Sequence, residues 1–177
     1  MLKIKSSQGQ NTTINGKQFE NMLIEMFLNH NVTLVKNKAK WTKNPVYPAL
    51  ILQPSYRKDR WSTHRQKESY GNADILFAKS PEKLYYFECK YQAGAGTIIK
   101  GVTETMFELA ESSTLQTAEI ILSLHYPNPH FNDSWDKDGP AFVNLFKEKS
   151  RDYFNNRIKV FDLEETIDFI KNIIWHK

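Results

Sequence analysis

The chain has 177 residues, 40% of them hydrophobic and 25% charged, with a net charge of +4 and a single cysteine. That composition suits one domain, 1–177, with its own core. It excludes a bilayer-spanning run, an internal disulfide and a CxxC-type zinc site. The opening MLKIKSSQGQ lacks the apolar stretch of a signal peptide, so a cytoplasmic protein is expected.

The first element is a helix over about Asn15–Asn29, in which Phe19, Met22, Leu23, Met26 and Phe27 repeat at helical spacing. Asn15 and Gln18 read as its capping box. Glu20 sits at the edge of the apolar stripe and Glu25 faces water. VTLVK (32–36) and ALILQ (49–53) read as strands. A basic, aromatic insertion at about 37–70 interrupts this region, and Pro45, Pro48 and Pro54 preclude long helices there. ADILFA (73–78) and LYYFECKYQ (84–92) read as an antiparallel hairpin turned by SPEK (80–83). AGAGT (93–97) is a loop without the Gly-Lys-Ser/Thr of a nucleotide-binding P-loop. A helix over about 99–112, an apolar strand at 118–126, a polar loop at 125–140 and a helix at about 140–154 follow. The strand 157–163 then leads to a last helix capped by Asp162 and Glu165. The expected class is α/β, a mixed central sheet flanked by helices.

Charge is concentrated rather than spread. Between Lys36 and Lys67 nine Lys or Arg face one acid, Asp59, so this segment carries +8. Such a block in a mildly acidic frame suits an anionic polymer, with Lys38, Lys40, Lys43, Arg57, Lys58, Arg60, His64 and Arg65 as its footprint. Trp41, Tyr47, Tyr56 and Trp61, interleaved with the cations, suit stacking on bases or, equally, a satellite core under a long loop. The alternative for the charge itself is a solvated lysine-rich loop.

The sharpest oddity is YYFECKYQ (85–92), which puts Glu88 and Lys90 inside an otherwise apolar strand. Alternation places Tyr86, Glu88, Lys90 and Gln92 on one face, and Tyr85, Phe87, Cys89 and Tyr91 on the other, packed, face. The polar face is expected to open onto a cleft. An antiparallel register brings Asp74 to the same face. Two adjacent carboxylates repel, and a divalent cation removes that penalty; oxygen ligands without cysteine point to magnesium, with manganese as a substitute. The alternative is a plain Glu88–Lys90 ion pair on a solvated face. His125, His130 and Asp133 fit no spacing with a mechanism and read as a solvent loop. Cys89 reads as a small buried hydrophobe.

Asp74, followed after thirteen residues by Glu88-Cys89-Lys90, with Glu20 on a preceding helix in GKQFENML, resembles the PD-(D/E)XK nuclease superfamily. The likeness covers the order of elements from about 16 to 125; Asn72-Ala73 stands where that family often has proline before the aspartate. It implies a restriction-endonuclease-like αβββαβ core and metal-assisted hydrolysis of phosphodiester bonds. In that scheme Asp74 and Glu88 hold magnesium with the Cys89 carbonyl. Lys90 positions or deprotonates the attacking water. Glu20 holds a second metal or acts in the outer shell, and Gln92 binds water or phosphate. Products with 5′-phosphate and 3′-hydroxyl ends are implied. A compact core with a basic insertion is most similar to a Type II restriction endonuclease, for which a homodimer acting on double-stranded DNA is expected. A four-way-junction resolvase, and a DNA-binding subunit that no longer cleaves, are the alternatives.

Overall fold

The computed structural model describes residues 8–36, 38–59, 67–91, 98–126 and 139–175. Among the described residues there are eight strands: β1 (Thr33–Leu34), β2 (Ala49–Leu52), β3 (Ser55–Arg57), β4 (Tyr70–Asn72), β5 (Ile75–Ser80), β6 (Lys83–Tyr91), β7 (Glu119–His125) and β8 (Ile158–Phe161). The helices are α1 (Gln8–Leu28), α2 (Lys38–Lys43), α3 (Ile98–Ala110), α4 (Gly139–Phe154) and α5 (Leu163–Trp175), with a 3-10 turn at Ser113–Leu115. Six strands form one sheet in the order β1-β2-β5-β6-β7-β8, and β3 and β4 form a separate two-stranded ribbon. The pairs β2–β5 and β5–β6 are antiparallel; β1–β2, β6–β7 and β7–β8 are parallel. The expected mixed sheet flanked by helices is therefore what the chain builds.

Helices cover both faces of the sheet, which is why β7 reads as a nearly unbroken apolar run. On one side α1 and α5 bring Phe19, Leu23, Phe27, Ile170 and Ile173 against Ile75, Phe77, Phe87 and Ile121. On the other, α3 and α4 bring Val102, Met106, Leu109, Phe142 and Phe146 against Ile120, Leu122, Leu124, Ile158 and Val160. The Asp162–Glu165 capping box forms as read: the Glu165 amide donates to Asp162 Oδ1 at 2.8 Å, and the Asp162 amide to Glu165 Oε2 at 3.0 Å. No helix among the described residues is long and apolar enough to cross a membrane.

Three expectations need correction. Helix α1 begins at Gln8, so Asn15 lies inside it and is not its cap. The basic insertion is not simply a loop, since it contains α2 and the β3–β4 ribbon. Finally, the face of β6 that carries Glu88 is covered over its first part, where Tyr86 packs into the core with residues of α3 and α4 and Glu88 is 7% exposed, while Lys90 further along keeps 33% of its side chain exposed. Strand alternation assigns faces correctly but does not reveal how far along the strand each face is covered.

Candidate active site

The β5–β6 register pairs Ile75 with Phe87, and the ladder runs one step further, where the Asp74 amide donates to the Phe87 carbonyl at 3.1 Å. Asp74 and Glu88 thus stand side by side on adjacent strands, on one face of the sheet. The Cys89 amide donates to Asp74 Oδ2 at 2.7 Å. Glu88 Oε1 accepts from Lys90 Nζ at 2.6 Å, while Glu88 Oε2 is buried without any hydrogen-bond partner.

Electrostatics follow from this crowding. Burial pushes the Glu88 carboxyl up to about 7; the Lys90 charge opposes the rise, and Asp74 and Glu108 add to it. Burial also raises Asp74, against the Cys89 amide and the Lys90 charge, with the Glu20 charge contributing. For Lys90, burial lowers the pKa, but the charge and hydrogen bond of Glu88 and the charge of Asp74 outweigh it, and the ammonium is stabilised. The ion pair read as an alternative is therefore real, but it lies in a buried setting beside a second carboxylate. The Cys89 thiol is raised well above its ordinary value by burial, then by Asp74, Glu88 and Glu20, as befits an inert side chain.

Glu20 belongs to this neighbourhood. Helix α1 crosses the end of β6, where a Cβ added at Gly16 would lie 3.7 Å from Tyr91 Cβ. Glu20 is 8% exposed, pairs with Lys17 at 2.8 Å, and its charge reaches Asp74 and Cys89. Sequence reasoning missed Gln53. Its backbone is left-handed at φ 51°, its amide donates to the Asp74 carbonyl at 3.0 Å, and its side chain hydrogen-bonds the Asp74 carboxylate. A non-glycine residue in that region costs about 1–3 kcal/mol and persists only where its surroundings hold it.

Sequence reasoning also missed Glu108 of α3. Its Oε2 accepts from Tyr56 Oη at 3.2 Å and lies 2.7 Å from Lys58 Nζ. Burial raises the Tyr56 phenol, and the charges of Glu108, Glu88 and Asp74 raise it further. No helical period marks Glu108; only its packing against the ribbon does.

The cationic footprint is partly brought together. Lys38 of α2 donates to Ser55 Oγ at 3.0 Å, which sets α2 against β3. Lys40 and Lys43 are exposed on the same short helix. Arg57 pairs with Asp59 at 2.9 Å. The aromatic residues, in contrast, are committed to the protein. Trp41 and Tyr47 meet edge to face at 5.8 Å against the β2–β5 core, Trp41 Nε1 donates to the Val46 carbonyl at 3.0 Å, and Tyr56 is 4% exposed. For these three the satellite core, not base stacking, is correct. Arg60, Trp61, His64, Arg65, Gln92, His130 and Asp133 lie outside the described residues. His125 is not a loop residue: it ends β7 and packs on Phe19 and Tyr91 with ring centroids at 5.1 and 5.4 Å.

Among the described residues no three His, Cys, Asp or Glu side chains converge into a ready-made metal shell. The Asp74–Glu88 pair nevertheless fits a hard divalent cation. Two carboxylates adjoin, and Glu88 Oε2 is a buried acceptor left without a donor, at a cost of about 1–3 kcal/mol that a bound cation relieves. Comparison with known proteins finds no matching family model, no similar curated protein and no similar solved structure.

Proposed function

We propose that the chain is a magnesium-dependent endodeoxyribonuclease of the PD-(D/E)XK kind, acting on double-stranded DNA as a Type II restriction endonuclease and working as a homodimer. The observation that carries this reading is the Asp74–Glu88 pair, with Asp74 half-buried and held by the Cys89 amide, Glu88 buried with one oxygen unpartnered, and Lys90 on the same face. The order of elements supports it: α1, the antiparallel run β2-β5-β6, then α3 and a parallel β7 correspond to an αβββαβ core.

Asp74 and Glu88, with the Cys89 carbonyl, would hold the magnesium ion. When bound, the ion supplies Lewis acidity toward a phosphate oxygen and lowers the pKa of water. The remaining work falls to side chains. Lys90, favoured as an ammonium, offsets the charge that develops on the phosphate and orients the attacking water; its raised pKa argues for this role over that of a free base. The Cys89 amide and Gln53 fix the Asp74 carboxylate. Glu20 adds negative charge in the outer shell, and Lys38, Lys40, Lys43, Arg57 and Lys58 meet the DNA backbone.

The test is incubation of the purified protein with phage DNA, plasmid and a synthetic four-way junction, with magnesium or with chelator. Discrete bands that vanish in chelator are expected. Cutting confined to the junction would make it a resolvase, and retardation without cutting in any metal would reduce it to a binding subunit.

A further inference from the structure

Lys58, Tyr56 and Glu108 form a built cluster that the nuclease motif does not supply. One oxygen, Glu108 Oε2, takes both the Lys58 ammonium and the Tyr56 hydroxyl. The backbone that carries them is pinned on both sides. Lys58 N donates to the Ser69 carbonyl at 2.8 Å, Arg57 N to Thr114 Oγ1 at 3.0 Å, and Ser113 N to Asp59 Oδ2 at 2.6 Å. Gly71 of β4 leaves the necessary room: a Cβ there would lie 2.6 Å from Lys58 Cε, 2.7 Å from Tyr56 Cζ and 2.8 Å from Tyr56 Oη. The Lys58 stem and the Tyr56 ring are therefore laid on bare backbone and directed at α3, where the Glu108 charge is felt by Glu88.

We propose that Glu108 and Tyr56 are positioning residues that hold the Lys58 ammonium beside the Asp74–Glu88 pair and yield it to a backbone phosphate of bound DNA. The shared oxygen makes the exchange inexpensive. When the ammonium leaves, Glu108 Oε2 keeps the phenol as donor and is not orphaned. The Lys58 side chain is 26% exposed, so a phosphate can reach it. A buried, fully committed pair would behave differently, serving only to bind the ribbon to α3. The inference rests on the nuclease reading for the identity of the polyanion.

The test combines Lys58→Met, Glu108→Gln and their double variant. A labelled linear duplex is bound in calcium at several salt concentrations, and single-turnover cleavage is followed in magnesium. Lys58→Met should weaken binding and lower the log–log salt slope by about 0.9. Glu108→Gln removes the competing charge and should tighten binding about two- to five-fold. Its cleavage should slow by about ten- to a hundred-fold, because the ammonium is no longer placed. In the Lys58→Met background Glu108→Gln should no longer tighten binding, since the two residues act as one unit. Tyr56→Phe leaves the Glu108 charge without its second donor, so the ammonium is released less readily and binding should weaken; loss of that effect in the Lys58→Met background carries the test alone if Glu108→Gln does not fold.

Equal tightening with and without Lys58, or wild-type binding and rate in Glu108→Gln, overturns the proposal while leaving the nuclease reading intact. If wild type binds the duplex through Lys58 but cuts nothing, the nuclease reading falls and the Lys58 holder stands. If wild type binds no DNA, both fall.

Discussion

The amide of Cys89 donates to Asp74 Oδ2 at 2.7 Å, which ties the start of β5 to the strand that carries Glu88 and Lys90. Asparagine at position 74 keeps an oxygen for that amide but removes the charge. Asp74→Asn should therefore fold with a melting temperature close to wild type, because burial already disfavours the ionised form. Single-turnover cleavage should fall by about 10²–10⁴. Asp74→Leu also removes the acceptor and should cost a further 1–3 kcal/mol or so in stability, seen by denaturant titration.

Glu88 makes the metal-free protein sensitive to pH in an uncommon direction. Its folded carboxyl titrates at about 7, against 4.5 for an ordinary glutamate. The fold favours the neutral form, so this contribution to stability is full below about pH 4.5 and is lost as pH rises through 7. The loss is on the order of 3 kcal/mol. Glu88→Gln mimics the neutral form; in chelator it should melt above wild type at pH 8, with the gap closing toward pH 4.5, while cleavage is abolished. A gap that is constant across this range would contradict the assignment.

Lys90→Ala separates chemistry from folding only below neutrality. Lys90 Nζ donates to Glu88 Oε1 at 2.6 Å and supplies the positive charge beside this carboxylate. Without it the buried carboxylate is uncompensated wherever it is ionised, and such a group is costly. In chelator the variant should melt near wild type at pH 5.5 and clearly below it at pH 8. Turnover should fall by about 10²–10⁴ while DNA affinity in calcium changes little. Wild-type cleavage with a lowered melting temperature would make Lys90 structural.

Much of this site was legible because periodicity is strong where the core is strong. Two-residue alternation in 84–92 assigned Glu88 and Lys90 to one face, and the hairpin spacing placed Asp74 beside them. The ribbon β3–β4 was not legible. Its strands have three residues each, too few to show a period, and its pairing of Tyr56 with Gly71 spans the segment 60–66. Without the ribbon Glu108 reads as an ordinary helix acid, and Tyr56 reads equally as a base-stacking aromatic or as part of a satellite core. Gln53 was missed for another reason: a left-handed backbone at a glutamine has no signature in composition or pattern.

Gly71→Ala tests the ribbon directly. The added methyl would meet Tyr56 Cζ at 2.7 Å, and Tyr56 is too buried to move aside. Overpacking of this kind costs about 1–3 kcal/mol. The variant should lose that much stability in a denaturant titration, and the added cost of Gly71→Ala should be smaller when it is made in a Tyr56→Ala background, where the clash with the ring is gone.

The turn between β5 and β6 lies at the opposite end of the hairpin from the carboxylates. Glu88 is five residues beyond Lys83, roughly 17 Å along the strand. Pro81, Glu82 and Lys83 are exposed there, and the chain's only cysteine is the inert Cys89. The protein thus comes with a ready attachment point for a probe. E82C introduces one reactive thiol at neutral pH, far enough from Asp74 and Glu88 for a fluorophore to report on DNA arrival, or a tether to fix the molecule to a surface, without touching the residues whose chemistry is being watched.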